Sequence, residues 1–209
     1  MLTVKTFVEG PVDANNYLLI DENSKDAVLI DCSSSRSEYI NAVKATNCNL
    51  KFILLTHGHF DHILGVEKFK KEFEIEAYAS FDDIKQLEFA PKMYSMFTGT
   101  YNPVEIPTVK PVKDGDEFKL GQYLIKAIAT PGHTKGGICY LVDNKLFSGD
   151  TLFQGSVGRC DLLDGDLDEI IKSIKEKLFT LSDEIEVYTG HGGKTTIGLE
   201  KQYNEIVNL

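Results

Sequence analysis

Phe52-Ile53-Leu54-Leu55-Thr56-His57-Gly58-His59-Phe60-Asp61-His62 is the stretch from which the rest of the chain is read. Its first four residues are apolar, branched or aromatic, and read as a short buried strand that ends where the histidines begin. The six residues that follow Thr56 hold three imidazoles and a carboxylate. Crowded together without a ligand, these groups would each need a separate polar partner. A metal ion would satisfy them jointly.

The chain contains five histidines, so the other two test this reading. They stand in Pro131-Gly132-His133 and Gly190-His191-Gly192, again where apolar runs end and again beside glycine. A fourth strand end carries Gly149-Asp150. Surface or core histidines have no reason to share one context five times out of five. Imidazole and carboxylate donors suit zinc, iron or manganese, and no cysteine is placed as a thiolate ligand. The pattern fits two ions. His57 and His59 can address one, Asp61 and His62 can turn to a second, and Asp150 can bridge. His133 and His191 would complete the two sites, with room left for water.

Around these motifs the chain alternates elements. Residues 2–8 read as a strand, 16–20 and 27–30 as a hairpin, and Ser34 or Ser35 as the cap of a helix through Tyr39, Ile40 and Val43. Ile63 to Phe73 has the spacing of an amphipathic helix, followed by a strand at 75–79 and a short helix over 82–89. Residues 90–110 carry Pro91, Gly99, Pro103 and Pro107 with no clear period, which reads as an apolar loop, packed down or covering a site. Then come a hairpin over 117–120 and 123–129, and strands at 138–142 and 145–148. Asp166 and Glu169 have the spacing of a capping box. A strand at 185–188 and a helix over 198–206 close the chain.

At 209 residues, with 42% hydrophobic and 26% charged residues, the chain is expected to form one domain over 1–209. A formal net charge of −10 with no basic patch argues against a nucleic-acid partner. No run reaches membrane-spanning length and the N-terminus does not resemble a signal peptide, so no membrane partner and a cytoplasmic location are expected. The four cysteines form no CxxC pair and read as reduced.

Taken together, His57-Gly58-His59-Phe60-Asp61-His62, Pro131-Gly132-His133-Thr134, Gly149-Asp150-Thr151 and Gly190-His191-Gly192 resemble the metal-binding motifs of the metallo-β-lactamase superfamily, in the same order and over nearly the whole chain. The resemblance implies an α/β fold, an αββα sandwich of two mixed sheets flanked by helices. It implies a dinuclear centre with His57, His59 and His133 on one ion, Asp61, His62 and His191 on the other, and Asp150 between them. Ser148 to Phe153 and Gly155 to Arg159 are similar to the glyoxalase II (hydroxyacylglutathione hydrolase) branch, and Thr195 to Lys201 to its short bacterial members. Full-length glyoxalase II enzymes add a C-terminal helical domain, which this chain is not expected to have. They also carry a lysine and a tyrosine near the positions of Arg159 and Asp161.

The expected function is therefore a metal-dependent hydrolase of a small-molecule thioester, S-lactoylglutathione or a relative. Its nucleophile is a hydroxide shared by two divalent ions, zinc first, with iron or manganese as alternatives. Asp61 and Asp150 are the expected catalytic carboxylates, and Arg159 the expected substrate-binding residue, by pairing with a carboxylate. Three alternatives stand beside this: a mononuclear iron persulfide dioxygenase, a lactonase, and a metal-binding protein without turnover.

Overall fold

The computed structural model describes residues 1–101 and 104–208. Its first sheet holds β1 (Leu2–Glu9), β2 (Ala14–Asp21), β3 (Asp26–Ile30), β4 (Asn49–Leu54), β5 (Glu76–Ser80) and β6 (Lys110–Val112), side by side in chain order. β1 to β3 are antiparallel neighbours, whereas β3 to β6 run parallel. In the second sheet β7 (Glu117–Leu120), β8 (Tyr123–Ala129), β9 (Ile138–Val142) and β10 (Lys145–Gly149) form an antiparallel meander. A small hairpin, β11 (Leu152–Phe153) with β12 (Ser156–Val157), follows β10. β13 (Glu186–Thr189) then pairs parallel to β10, and β14 (Thr195–Thr196) forms the edge.

Strands buried on both faces need apolar side chains at every position, and β2 and β3 show how the two faces are shared out. Leu18, Ile20, Ala27 and Leu29 face the helical side, where they meet α1 (Ser37–Lys44), α2 (Phe60–Ile63), α3 (Val66–Phe73) and α4 (Ile84–Thr98). Their neighbours Tyr17, Leu19, Val28 and Ile30 point the other way, into a core shared with Ile125, Ala127, Ile138, Tyr140 and Phe147 of the second sheet. That sheet's outer face, with Cys139, Leu146 and Val187, is covered by α5 (Leu167–Ser173) and α6 (Ile197–Tyr203). Helix, sheet, sheet and helix are thus joined by three apolar layers, the expected αββα arrangement of two mixed sheets.

Several local expectations change. Ser34 and Ser35 do not cap α1: the N-cap is Arg36, and Ser34 Oγ accepts from the Arg36 amide in a local turn. The expected helix from 63 to 73 is two pieces, α2 and α3, divided at Gly65. A Cβ there would lie 2.1 Å from the Ser34 carbonyl oxygen, so the chain can pass this point only as glycine. The 90–110 stretch is not all loop. α4 continues through Pro91 to Thr98, because Leu87, Ala90 and Met93 bury one face and Tyr94 and Phe97 pack on Phe60. Gly99, at φ 68°, closes the helix by donating to the Ser95 carbonyl. Pro103 lies outside the described residues. At 110–112 the same stretch adds an edge strand, where Pro111 is tolerated. Asp166 caps α5 as expected, accepting from the Glu169 amide, although its own amide donates to Gly132 rather than to the Glu169 side chain. The last helix is Ile197–Tyr203, shorter than the expected 198–206.

Candidate metal centre

Strand direction brings the motifs together. β3, β4 and β5 are parallel, so Asp31, the His57–His62 segment and Asp83 all follow strand ends on one edge of the first sheet. In the second sheet β8, β10 and β13 share a direction, which places His133, Asp150 and His191 at one edge as well. Ligand sites in parallel sheets lie at the carboxyl ends of strands for the same geometric reason.

At the junction the seven expected ligands form three overlapping groups: His57, His59 and His133; His57, His62 and Asp150; and Asp61, His62 and His191. Within each group the ligand atoms lie within 4.8 Å of one another. His59 Nδ1 is 2.9 Å from His133 Nε2. His191 Nε2 lies 3.1 Å from Asp61 Oδ2. The Asp150 carboxylate is central: its Oδ1 is 3.4 Å from His62 Nε2, and its Oδ2 is 3.6 Å from both His133 Nε2 and His191 Nε2. Gly190 makes this possible, since a Cβ on it would lie 2.0 Å from Asp150 Oδ1.

His57, His59, Asp61, His62 and His133 are buried, yet Nε2 of His57, His59 and His62 and Oδ1 of Asp150 have no hydrogen-bond partner. Each unmet buried polar atom costs about 1–3 kcal/mol. Burial holds the His57 imidazole well below its ordinary pKa, with His62 and His59 adding to the effect. Burial and the neighbouring His133 push His59 down to about 3. Both rings are therefore neutral and offer lone pairs. Burial opposes ionisation at Asp150, but the His62 imidazole, by its charge and its close approach, outweighs it and holds the carboxyl well below its usual range. Burial likewise opposes the charge on Asp61, but His62 and His191 outweigh that penalty, and its pKa is also lowered. Burial opposes the charge on His62 and His191, but the carboxylates facing them outweigh it and raise both. Two neutral imidazoles, ionised carboxylates and orphaned buried atoms converging on one point fit divalent metal ions.

Two carboxylates outside the expected set organise these ligands. Asp31 faces His62 Nδ1 at 2.8 Å and accepts from the Thr56 amide and hydroxyl, both at 2.8 Å. It thereby leaves His62 Nε2 to face Asp150. Asp83, also buried, accepts from the Gly58 amide at 2.9 Å, Thr134 Oγ1 at 2.8 Å and the Gly136 amide at 2.6 Å. One carboxylate thus ties the His57–His59 loop to the His133 loop. The signal that could have found both is position: each is an aspartate just after a parallel strand.

The metal groups open onto a pocket of about 420 Å³ whose walls include Met93, Phe97, Phe153, Val157 and Leu162. Arg159 stands at this pocket too, but its guanidinium is forked onto Asp161 through two hydrogen bonds of 2.7 Å and rests over Phe97, 5.7 Å from the ring centre. Its backbone carbonyl accepts from, or is faced by, His133 Nδ1 at 2.7 Å. Among the described residues no helix is long and apolar enough to cross a membrane.

Comparison with known proteins agrees with this geometry. Hydroxyacylglutathione hydrolase GloC of Haemophilus influenzae is 36% identical over 203 residues, covering 95% of this chain and 96% of the relative. The crystal structure of BLEG-1 B3 metallo-beta-lactamase superposes with a TM-score of 0.91 at 32% identity, over 99% of this chain and all of that one. TTHA1623, solved in a di-iron-bound form, gives a TM-score of 0.86 at 32% identity, covering 97% of this chain and 99% of its own. Residues 10–191 match the family profile of the metallo-beta-lactamase superfamily, and the chain belongs to that superfamily.

Proposed function

We propose that the chain is a dinuclear metal-dependent hydrolase that acts on thioesters, in the manner of glyoxalase II, as a single domain. The observation that carries the reading is the set of three ligand groups, overlapping at His57 and His62, beneath a pocket lined by His59, Asp61, His133, Asp150 and His191. His57, His59 and His133 would hold one ion, Asp61, His62 and His191 the second, and Asp150 would reach both. The likeness to GloC supports a thioester, and the di-iron form of TTHA1623 supports two ions, with zinc, iron and manganese all matching the donors.

When bound, divalent ions supply Lewis acidity, which activates water and polarises an acyl carbonyl. The remaining work belongs to the chain. Asp61 and Asp150 stay ionised, and their oxygens accept hydrogen bonds from the attacking water and fix its direction. Asp31 keeps His62 in one orientation. The apolar walls exclude competing water, so one water adds to the carbonyl carbon, the carbon–sulfur bond breaks, and a carboxylic acid and a thiol leave. Arg159 could meet a substrate carboxylate only by exchanging it for Asp161.

Metal quantitation alongside a panel of S-lactoylglutathione, a homoserine lactone, a β-lactam and a persulfide under oxygen tests the reading. Thioester turnover with about two ions per chain is expected, and both metal content and turnover fall in a His133→Ala variant. Oxygen uptake with one iron per chain, preferential lactone or β-lactam cleavage, or metal without turnover would each replace it.

A further inference from the structure

The pocket above the metal groups says more about its ligand than the metal groups do. Its two flanks are apolar: Met93 and Phe97 come from α4, and Phe153 and Val157 from the β11–β12 hairpin. Beyond the metal-group residues, the polar side chains lining it, among the described residues, are Ser156 and Arg159. Ser156 Oγ is turned to the Val157 carbonyl, and Arg159 spends its fork on Asp161 and its face on Phe97. Among the described residues no lysine lines the pocket. A ligand rich in carboxylates or phosphates would find one cation, already paired, on a chain of net charge −10. An aliphatic or aromatic group would find walls on both sides. Phe97 also keeps 44% of its surface exposed, apolar area that a ligand can cover.

From these walls we infer that the substrate is a thioester whose acyl group is apolar, and that α4 and the β11–β12 hairpin select it over hydroxylated acyl groups such as lactoyl. This rests on the hydrolase reading above and deepens it. A hydroxyl inserted between Met93, Phe97, Phe153 and Val157 would lose its water without gaining a partner, whereas each added methylene removes apolar surface from water.

The test uses zinc-loaded full-length protein and thioesters of one neutral thiol, N-acetylcysteamine, with acetyl, butyryl, hexanoyl and lactoyl groups. Specificity constants are expected to rise about three- to fourfold per methylene until the pocket is full, with lactoyl below the apolar acyl groups. Phe97→Ser flattens the slope. Dethia ketone analogues of the same chain lengths, in which CH2 replaces sulfur, are titrated calorimetrically into zinc-loaded and metal-free protein. Their affinities follow the same slope, and this readout does not depend on turnover. A flat or reversed slope for the analogues, or lactoyl favoured in turnover, overturns the inference. A rising affinity slope with no hydrolysis of any thioester upholds the apolar pocket and removes the hydrolase reading instead.

Discussion

Asp31 belongs to none of the three metal groups, yet it decides how His62 can serve them. A carboxylate on one ring nitrogen fixes both the orientation of an imidazole and which nitrogen is left for a metal. Asp31→Ala is expected to weaken metal binding about 10- to 100-fold, read by competition with a chromophoric chelator. Unchanged affinity would show that the ring is held by packing alone. The cysteines make a second prediction at this scale. Burial pushes the Cys139 thiol up to about 11 and Cys32 well above its ordinary value. Since the thiolate is the nucleophile, iodoacetamide at pH 8 should alkylate native protein at Cys48 and, more slowly, Cys160. All four should react after unfolding, as counted by intact mass. The candidate ligands can be picked out residue by residue, because the His57–His62 segment, His133, Asp150 and His191 all follow apolar runs in glycine-containing motifs. Asp31 and Asp83 cannot. A lone aspartate after a strand has the same appearance as a turn residue until strand directions are known.

Among the elements, α4 links most parts of the centre. The turn leading into it supplies Asp83, Gln86 donates to the Leu163 carbonyl at 2.5 Å, and Phe97 walls the pocket. Removing the Asp83 carboxylate strands two buried amides, those of Gly58 and Gly136, and the Thr134 hydroxyl. Asp83→Ala is expected to destabilise the fold by about 2–5 kcal/mol, measured by urea unfolding. A loss below ~1 kcal/mol would mean that water replaces the carboxylate. Half of α4 was hidden from sequence reading because Pro91 removes a helical amide and normally ends a helix. The 3–4 spacing of Leu87, Ala90, Met93, Tyr94 and Phe97 is present, and burial of Leu87, Ala90 and Met93, with Tyr94 and Phe97 packed on Phe60, outweighs the lost bond. β6 was missed for a related reason: Pro111 speaks against a strand, except at a sheet edge.

At the scale of the molecule, the αββα arrangement followed from the motifs by resemblance and not from periodicity. Strands apolar on both faces do not reveal which face meets a helix and which meets a second sheet. The three apolar layers settle that division. Metal removal acts at the same scale, since the candidate ligands come from both sheets. A ligand at a thousand times its Kd stabilises the native state by about 4 kcal/mol. For a chain of this length that corresponds to a melting point about 8–16 °C higher. Exhaustive chelation should lower the midpoint by this amount in a thermal melt, and zinc should restore it. A melt indifferent to chelator would mean that the centre is not part of the folded state's stability.

The placement of the ligands at the edges of two different sheets has a consequence for assembly. A strand advances about 3.3 Å per residue, close to the distances that separate Asp150 from His62, His133 and His191. A slip of one residue in β4, β10 or β13 would therefore carry a donor out of reach and turn its neighbours to the opposite face. A bound ion would then proofread the pairing. Chains whose two sheets have met in the correct alignment would retain it, and chains with a shifted strand would be left without it.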